Sequence, residues 1–99
     1  MNPTAIRLSP LDNVAVCCRP IEAGERILVE ERELVIDVAV PIGHKVAFVD
    51  LKKGDKVRKY GMPIGSVTVD APAGSWVHLH NMKSDYLPAH MRDAAGDQA

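Results

Sequence analysis

With 99 residues, 46% of them apolar and 25% charged, the chain fits one domain and leaves no room for two independent cores. A net charge of −1 and an aromatic content of 4% argue against a nucleic-acid partner, whose surface calls for a basic excess and stacking rings. No apolar run approaches the roughly 20 residues that span a bilayer, and MNPTAIRLSP lacks the basic and apolar regions of a secretory signal, so a cytoplasmic protein without membrane contact is expected.

Short runs rich in valine and isoleucine, broken by Gly and Pro roughly every ten residues, predict an all-β domain of many short strands. In chain order these are expected over 5–8, 14–18, 26–29, 33–40, 45–49, 56–59, 66–69 and 75–80. Pro10, Pro20, Pro41, Pro63 and Pro72 fall between the runs, where a missing N–H costs little. No segment keeps a 3.6-residue apolar period long enough for a helix. Cys17 and Cys18 are neighbours that a strand points to opposite faces, so they read as reduced apolar side chains and not as a disulfide. The domain is expected to cover residues 1–88, with 89–99 as a flexible C-terminal tail.

A weak repeat underlies this pattern. RPIEAGERI (19–27), VDLKKGDKV (49–57) and VDAPAGSWV (69–77) align on Gly24, Gly54 and Gly74, and an acid, Glu25 or Asp55, follows the first two glycines. Each copy reads as strand, glycine turn, strand. The unequal intervals exclude a solenoid and favour a compact fold of pseudo-symmetric hairpins.

The residues with chemistry lie mostly late in the chain. In WVHLHN, strand parity puts Trp76, His78 and His80 on one face and Val77 and Leu79 on the other, which is expected to pack inward. The two imidazoles then either converge on one metal ion or anionic substrate, or sit solvated on a sheet face. His44 and Lys45 stand at the turn PIGHKVA, where they can present charge to a ligand. In KKGDKVRKYG most of the cations read as a solvated hairpin balanced by Asp55. Lys59 shares parity with Val57, which separates it from Lys56 and Arg58 and makes it a candidate for an acidic sugar. Asp12, Asp50, Asp70 and Asp85 show no paired-carboxylate spacing, and no P-loop, dinucleotide fingerprint or nucleophile elbow is present.

Taken together, LDNVAV (11–16), IEAGERI (21–27), GHKVA (43–47), KYGMPIG (59–65) and GSWVHLHN (74–81) resemble, in order, the N-terminal SAF domain of altronate and galactarate dehydratases. The resemblance implies a small SAF-type β-clip fold and a role as small subunit, or N-terminal domain, of a sugar-acid hydro-lyase. Such an enzyme converts a 2,3-dihydroxy aldonic or aldaric acid to a 2-keto-3-deoxy acid together with a large dehydratase subunit. Two alternatives stay open: the small subunit of a sulfolactate sulfo-lyase, in which sulfite leaves instead of water, and a non-catalytic SAF module of a partner enzyme.

The implied chemistry is loss of the C2 proton, charge build-up on an enediolate, and protonation of the departing 3-hydroxyl. The resemblance assigns His44, His78 and His80 to catalysis, and His78 and His80 to a divalent metal, Fe2+ or Mn2+, shared with the large subunit. It assigns Lys45, Lys59 and Asn81 to the substrate. Self-association into a homo-oligomer is compatible with a chain this short.

Overall fold

The computed structural model describes residues 3–84; the expected end of the domain at 88 and the tail 89–99 lie outside them. Within this span the chain forms nine short antiparallel strands and no helix, which bears out the all-β expectation. The strands are β1 (Ala5–Ile6), β2 (Val14–Cys17), β3 (Arg26–Val29), β4 (Arg32–Val35), β5 (Lys45–Ala47), β6 (Lys56–Lys59), β7 (Met62–Val67), β8 (Trp76–Val77) and β9 (Met82–Lys83). A central sheet runs β1-β2-β5-β8, the hairpin β3-β4 stands apart, and β6-β7-β9 form a third sheet.

The central sheet is covered on both faces, and alternation along its strands decides what each side chain meets. Ala15, Cys17 and Val46 join Ile21, Ile27, Val29, Leu34, Ile36 and Val40 in a core under the first hairpin. Val14, Ala47 and Val77 join Leu51, Val57, Val67 and Ala71 in a second core under the third sheet. Two-sided burial explains why β2 reads VAVC, without polar alternation. Each fully buried valine or isoleucine contributes about 1.5–3 kcal/mol. Cys17 belongs to the first core, and burial pushes its thiol up to about 11, whereas Cys18 is exposed; both are free.

The repeat has four copies, not three. Ile21, Val40, Leu51 and Ala71 each start a turn that reaches glycine three residues on, at Gly24, Gly43, Gly54 and Gly74, with φ of 87°, 83°, 93° and 92°. In every copy the N–H after the glycine donates back across the turn: Glu25 to Glu22, His44 to Pro41, Asp55 to Lys52 and Ser75 to Pro72. Isolated bridges pair the copies, Ile21 with Val40 and Leu51 with Ala71.

The first and third copies add a cap: the Glu25 carboxylate accepts the Glu22 N–H at 2.6 Å, and Asp55 accepts the Lys52 N–H at 2.8 Å. The second and fourth carry Pro41 and Pro72 at that position, which have no N–H to cap. These two copies lead directly into β5 and β8.

Each capped copy continues into a hairpin with a two-residue loop, Glu30-Glu31 or Tyr60-Gly61, and all four residues have positive φ, as a type I′ turn requires. Asp12, only 3% exposed, ties the second loop down by accepting N–H bonds from Tyr60 at 2.9 Å and Gly61 at 2.6 Å. Asn13 brackets β6, donating to the Lys56 carbonyl and accepting the Arg58 N–H, each at 2.8 Å.

Pro63 corrects one expectation: it lies inside β7, opposite Arg58, where the register with β6 shifts. A bulge is one of the few places a strand accepts proline. No helix among the described residues is long and apolar enough to cross a membrane.

Candidate functional site

The histidine strand expected over 75–80 ends at Val77. His78–Asn81 form a tight turn instead, in which the Asn81 N–H donates to the His78 carbonyl at 3.1 Å. Asn81 is 6% exposed and locks this turn with both ends of its amide: Oδ1 accepts the His78 N–H and Nδ2 donates to the Trp76 carbonyl, each at 2.9 Å. Parity therefore stops at Val77, and Leu79, expected to face inward, is 77% exposed. Asn81, expected to contact substrate, shapes the turn through Oδ1 and one N–H of its amide, and it also borders the cleft beside His80.

The imidazoles nonetheless meet, around Trp76 instead of along a strand. The His78 ring stacks on the indole at 5.4 Å with 7° between planes, and His80 lies tilted at 5.1 Å. His44 comes from the other proline turn, 4.7 Å from the His78 ring and 5.7 Å from the indole. The Trp76 Nε1–H donates to His44 Nδ1 at 3.3 Å, which leaves Nε2 as the ring nitrogen that carries the proton of neutral His44. The pairing of β5 with β8 makes this possible, because Lys45 lies opposite Val77 and Val46 opposite Trp76.

Among the described residues, the side chains that shift His78 and Lys45 are all basic. Partial burial holds the His78 imidazole below its ordinary range, and His44, Lys45 and His80 push in the same direction. Burial also lowers the Lys45 ammonium, with Lys59 adding repulsion. Lys59 thus reaches the same locality from β6, its Nζ 5.9 Å from the Tyr60 ring centre. Four of the expected residues, His44, Lys45, Lys59 and His78, converge here, with His80 across the indole. On the His80 side a cleft of about 320 Å³ opens, bordered by Asp37, Asp70, Ser75 and Trp76.

Trp76, the hub of all these contacts, entered the sequence reading only as a strand residue. Asp12, which positions the Tyr60-Gly61 loop beside Lys59, gave no signal either: it acts on residues 48 and 49 positions away.

A metal centre needs at least three converging donors, and no group of three His, Cys, Asp or Glu side chains capable of holding one occurs among the described residues. His78 and His80 are therefore not completed to a metal site by other side chains among the described residues.

A model of the altronate/galactarate dehydratase SAF domain matches residues 3–85. The chain belongs to this family. Its SAF domain is 39% identical over 80 residues to altronate dehydratase of Escherichia coli (strain K12) and 34% identical over 80 residues to that of Bacillus subtilis (strain 168). Each match takes in 81% of this chain but only 16% of the relative's length. The (2R)-sulfolactate sulfo-lyase subunit alpha of Chromohalobacter salexigens is 39% identical over 70 residues, which is 65% of this chain and 74% of that subunit.

Proposed function

We propose that this SAF domain is the small part of a sugar-acid dehydratase, which acts with a larger polypeptide to convert a 2,3-dihydroxy aldonic or aldaric acid to a 2-keto-3-deoxy acid. The observation that carries the reading is the basic cluster: His44 lies 4.7 Å from His78, and among the described residues the side chains that shift His78 and Lys45 are all basic, namely His44, Lys45 and His80 for the one and Lys59 for the other. Gathering like charges costs free energy that a bound carboxylate recovers. Lys45 and Lys59 receive the substrate carboxylate, and their charge steadies the enediolate that forms when C2 loses its proton.

His44 keeps Nε2 as its donor because Trp76 engages Nδ1, which suits it to hold the enediolate oxygen or the departing 3-hydroxyl by a hydrogen bond, the proton for the leaving group coming from the larger polypeptide. The site is open on the exposed side of His80, where the larger polypeptide closes it and supplies the base for C2. A divalent ion, if the reaction uses one, would take most of its ligands from that polypeptide.

A second reading has its own support, since the likeness to the sulfo-lyase alpha subunit runs over 74% of that subunit. The same cluster would bind sulfolactate, with sulfite leaving from C3.

The test is co-expression of this chain with the larger polypeptide of its own organism, followed by assay of altronate, galactarate and sulfolactate. Keto-acid formation without sulfite supports the dehydratase, and sulfite release selects the sulfo-lyase. His78→Ala and His80→Ala each lower kcat by roughly a hundredfold or more without loss of assembly. Unchanged kcat in both variants removes the site assignment. Full turnover by the larger polypeptide alone makes this domain a non-catalytic module.

A further inference from the structure

The cleft of about 320 Å³ on the His80 side differs in chemistry from the basic cluster, although Trp76 touches both. Its polar lining is Asp37, Asp70, Ser75, His80 and Asn81. We propose that it holds the neutral polyol end of the substrate, C4 to C6 of an aldonic acid, and turns away an aldaric acid, whose second carboxylate would have to enter it. This rests on the sugar-acid reading above, which puts C1 in the basic cluster.

Ser75 marks the cleft as a binding site. The residue is 8% exposed, yet its hydroxyl has no hydrogen-bond partner among the described residues. Buried hydroxyls are nearly always satisfied, so this one calls for a partner brought into the cleft. Packing fixes its place: a Cβ at Gly74 would fall on the Val35 carbonyl oxygen, so the fourth turn lies tight against the end of β4. That approach sets Asp37, two residues beyond β4, along the same cleft as Ser75.

The other polar groups are only partly engaged. Asp70 accepts the Lys53 N–H through Oδ1 at 2.8 Å, which leaves Oδ2, and the Asp37 carboxylate accepts no hydrogen bond among the described residues. Asn81 commits Oδ1 and one N–H to its turn and keeps a second amide N–H.

Acceptors and donors thus stand side by side. A hydroxyl both donates and accepts, and matches this mixture. An ammonium group would suit the two carboxylates but offers nothing to the Asn81 N–H. A second carboxylate would meet Asp37 and Asp70, and like charges brought together oppose binding. Val38 and the Trp76 indole give the C–H side of a polyol an apolar wall. Because the indole also touches His44 and His78, one carbon chain can cross it with C1 in the cluster and its tail in the cleft.

The test is a 15N–1H titration of the full chain with altronate, galactarate, glycerate, galactitol and ethylammonium at constant pH and ionic strength. Glycerate carries the acid head without a tail, and galactitol is a polyol without a carboxylate. Saturable shifts at the amides of Val38, Ser75, Trp76 and His80 are expected with altronate and galactitol but not with glycerate. Altronate binds roughly tenfold tighter than galactarate. Ser75→Ala weakens altronate roughly fivefold and leaves glycerate unchanged, and Asp37→Asn, at an exposed position, narrows the gap between the two sugar acids. Cleft shifts with galactitol while no acid moves Lys45 uphold the cleft and overturn instead the placement of C1. Galactarate binding as tightly as altronate, ethylammonium reproducing the cleft shifts, a cleft silent to both altronate and galactitol, or altronate affinity untouched by Ser75→Ala overturns the proposal.

Discussion

Glu25 and Asp55 each commit a carboxylate to closing their own turn, whereas Pro41 and Pro72 leave no N–H for such a carboxylate to accept from. The four turns share glycine geometry and the same back-donated bond, yet they divide into two kinds. Where the second position is an ordinary residue, the residue after glycine is bound to structural duty. Where it is proline, that residue is released, and in this chain it becomes His44 or Ser75, followed at once by Lys45 or Trp76. His44, Lys45 and Trp76 of the candidate site come from the two turns whose backbone asks least of their side chains.

The comparison can be broken most sharply at the glycines. At Gly54 an added Cβ meets nothing within 4 Å, but at Gly74 it would fall on the Val35 carbonyl oxygen, because the fourth turn packs against the first hairpin. Gly54→Ala should cost about 1–2 kcal/mol from its φ alone. Gly74→Ala should cost more than about 3 kcal/mol, as a backbone clash is added. Equal losses in urea unfolding would show that the fourth turn is packed no more closely than the third.

A middle-sized effect comes from the caps. Asp55→Ala should lower stability by about 1 kcal/mol and Ser75→Ala by less than about 0.5, read as the shift in denaturation midpoint. The converse experiment transplants a cap. His44→Asp alone should gain nothing, since Pro41 offers no donor; combined with Pro41→Lys it should show a favourable coupling of about 1 kcal/mol in a double-mutant cycle. Absence of coupling would mean that proline is not what releases position 44.

The smallest effect is a matter of pH. Arg19 and the Glu22 N–H hold the Glu25 carboxyl down to about 2. A carboxyl lowered on folding contributes stability above its unfolded value near 4.5 and loses it as pH falls towards 2. Glu25→Gln should therefore flatten the decline of melting temperature with acid over that window. An unchanged slope would separate the cap from the ion pair.

These contrasts also mark what could be read from the chain. Strands at 26–29 and 56–59 were legible because Gly24 and Gly54 announce their turns and an acid follows each. The second copy stayed hidden because it has neither the acid after glycine seen in the first and third copies nor the Val-Asp lead that the third and fourth share. The histidine pair was found by an alternation that fails at His78, where Asn81 bends the chain back. The grouping survives for a reason no period encodes: β5 and β8 are neighbours although 28 residues separate Ala47 from Trp76 in the fold's connectivity. Lys59 and Asp12 are of the same kind, their significance set by partners far along the chain.

Trp76 is the only tryptophan in the sequence, and it touches all three of His44, His78 and His80. Indole emission is quenched by a protonated imidazole and responds to nearby charge. The fluorescence of the unmodified chain is thus a built-in gauge of this one locality, able to test for docking of the proposed larger partner or arrival of an acid without any attached dye.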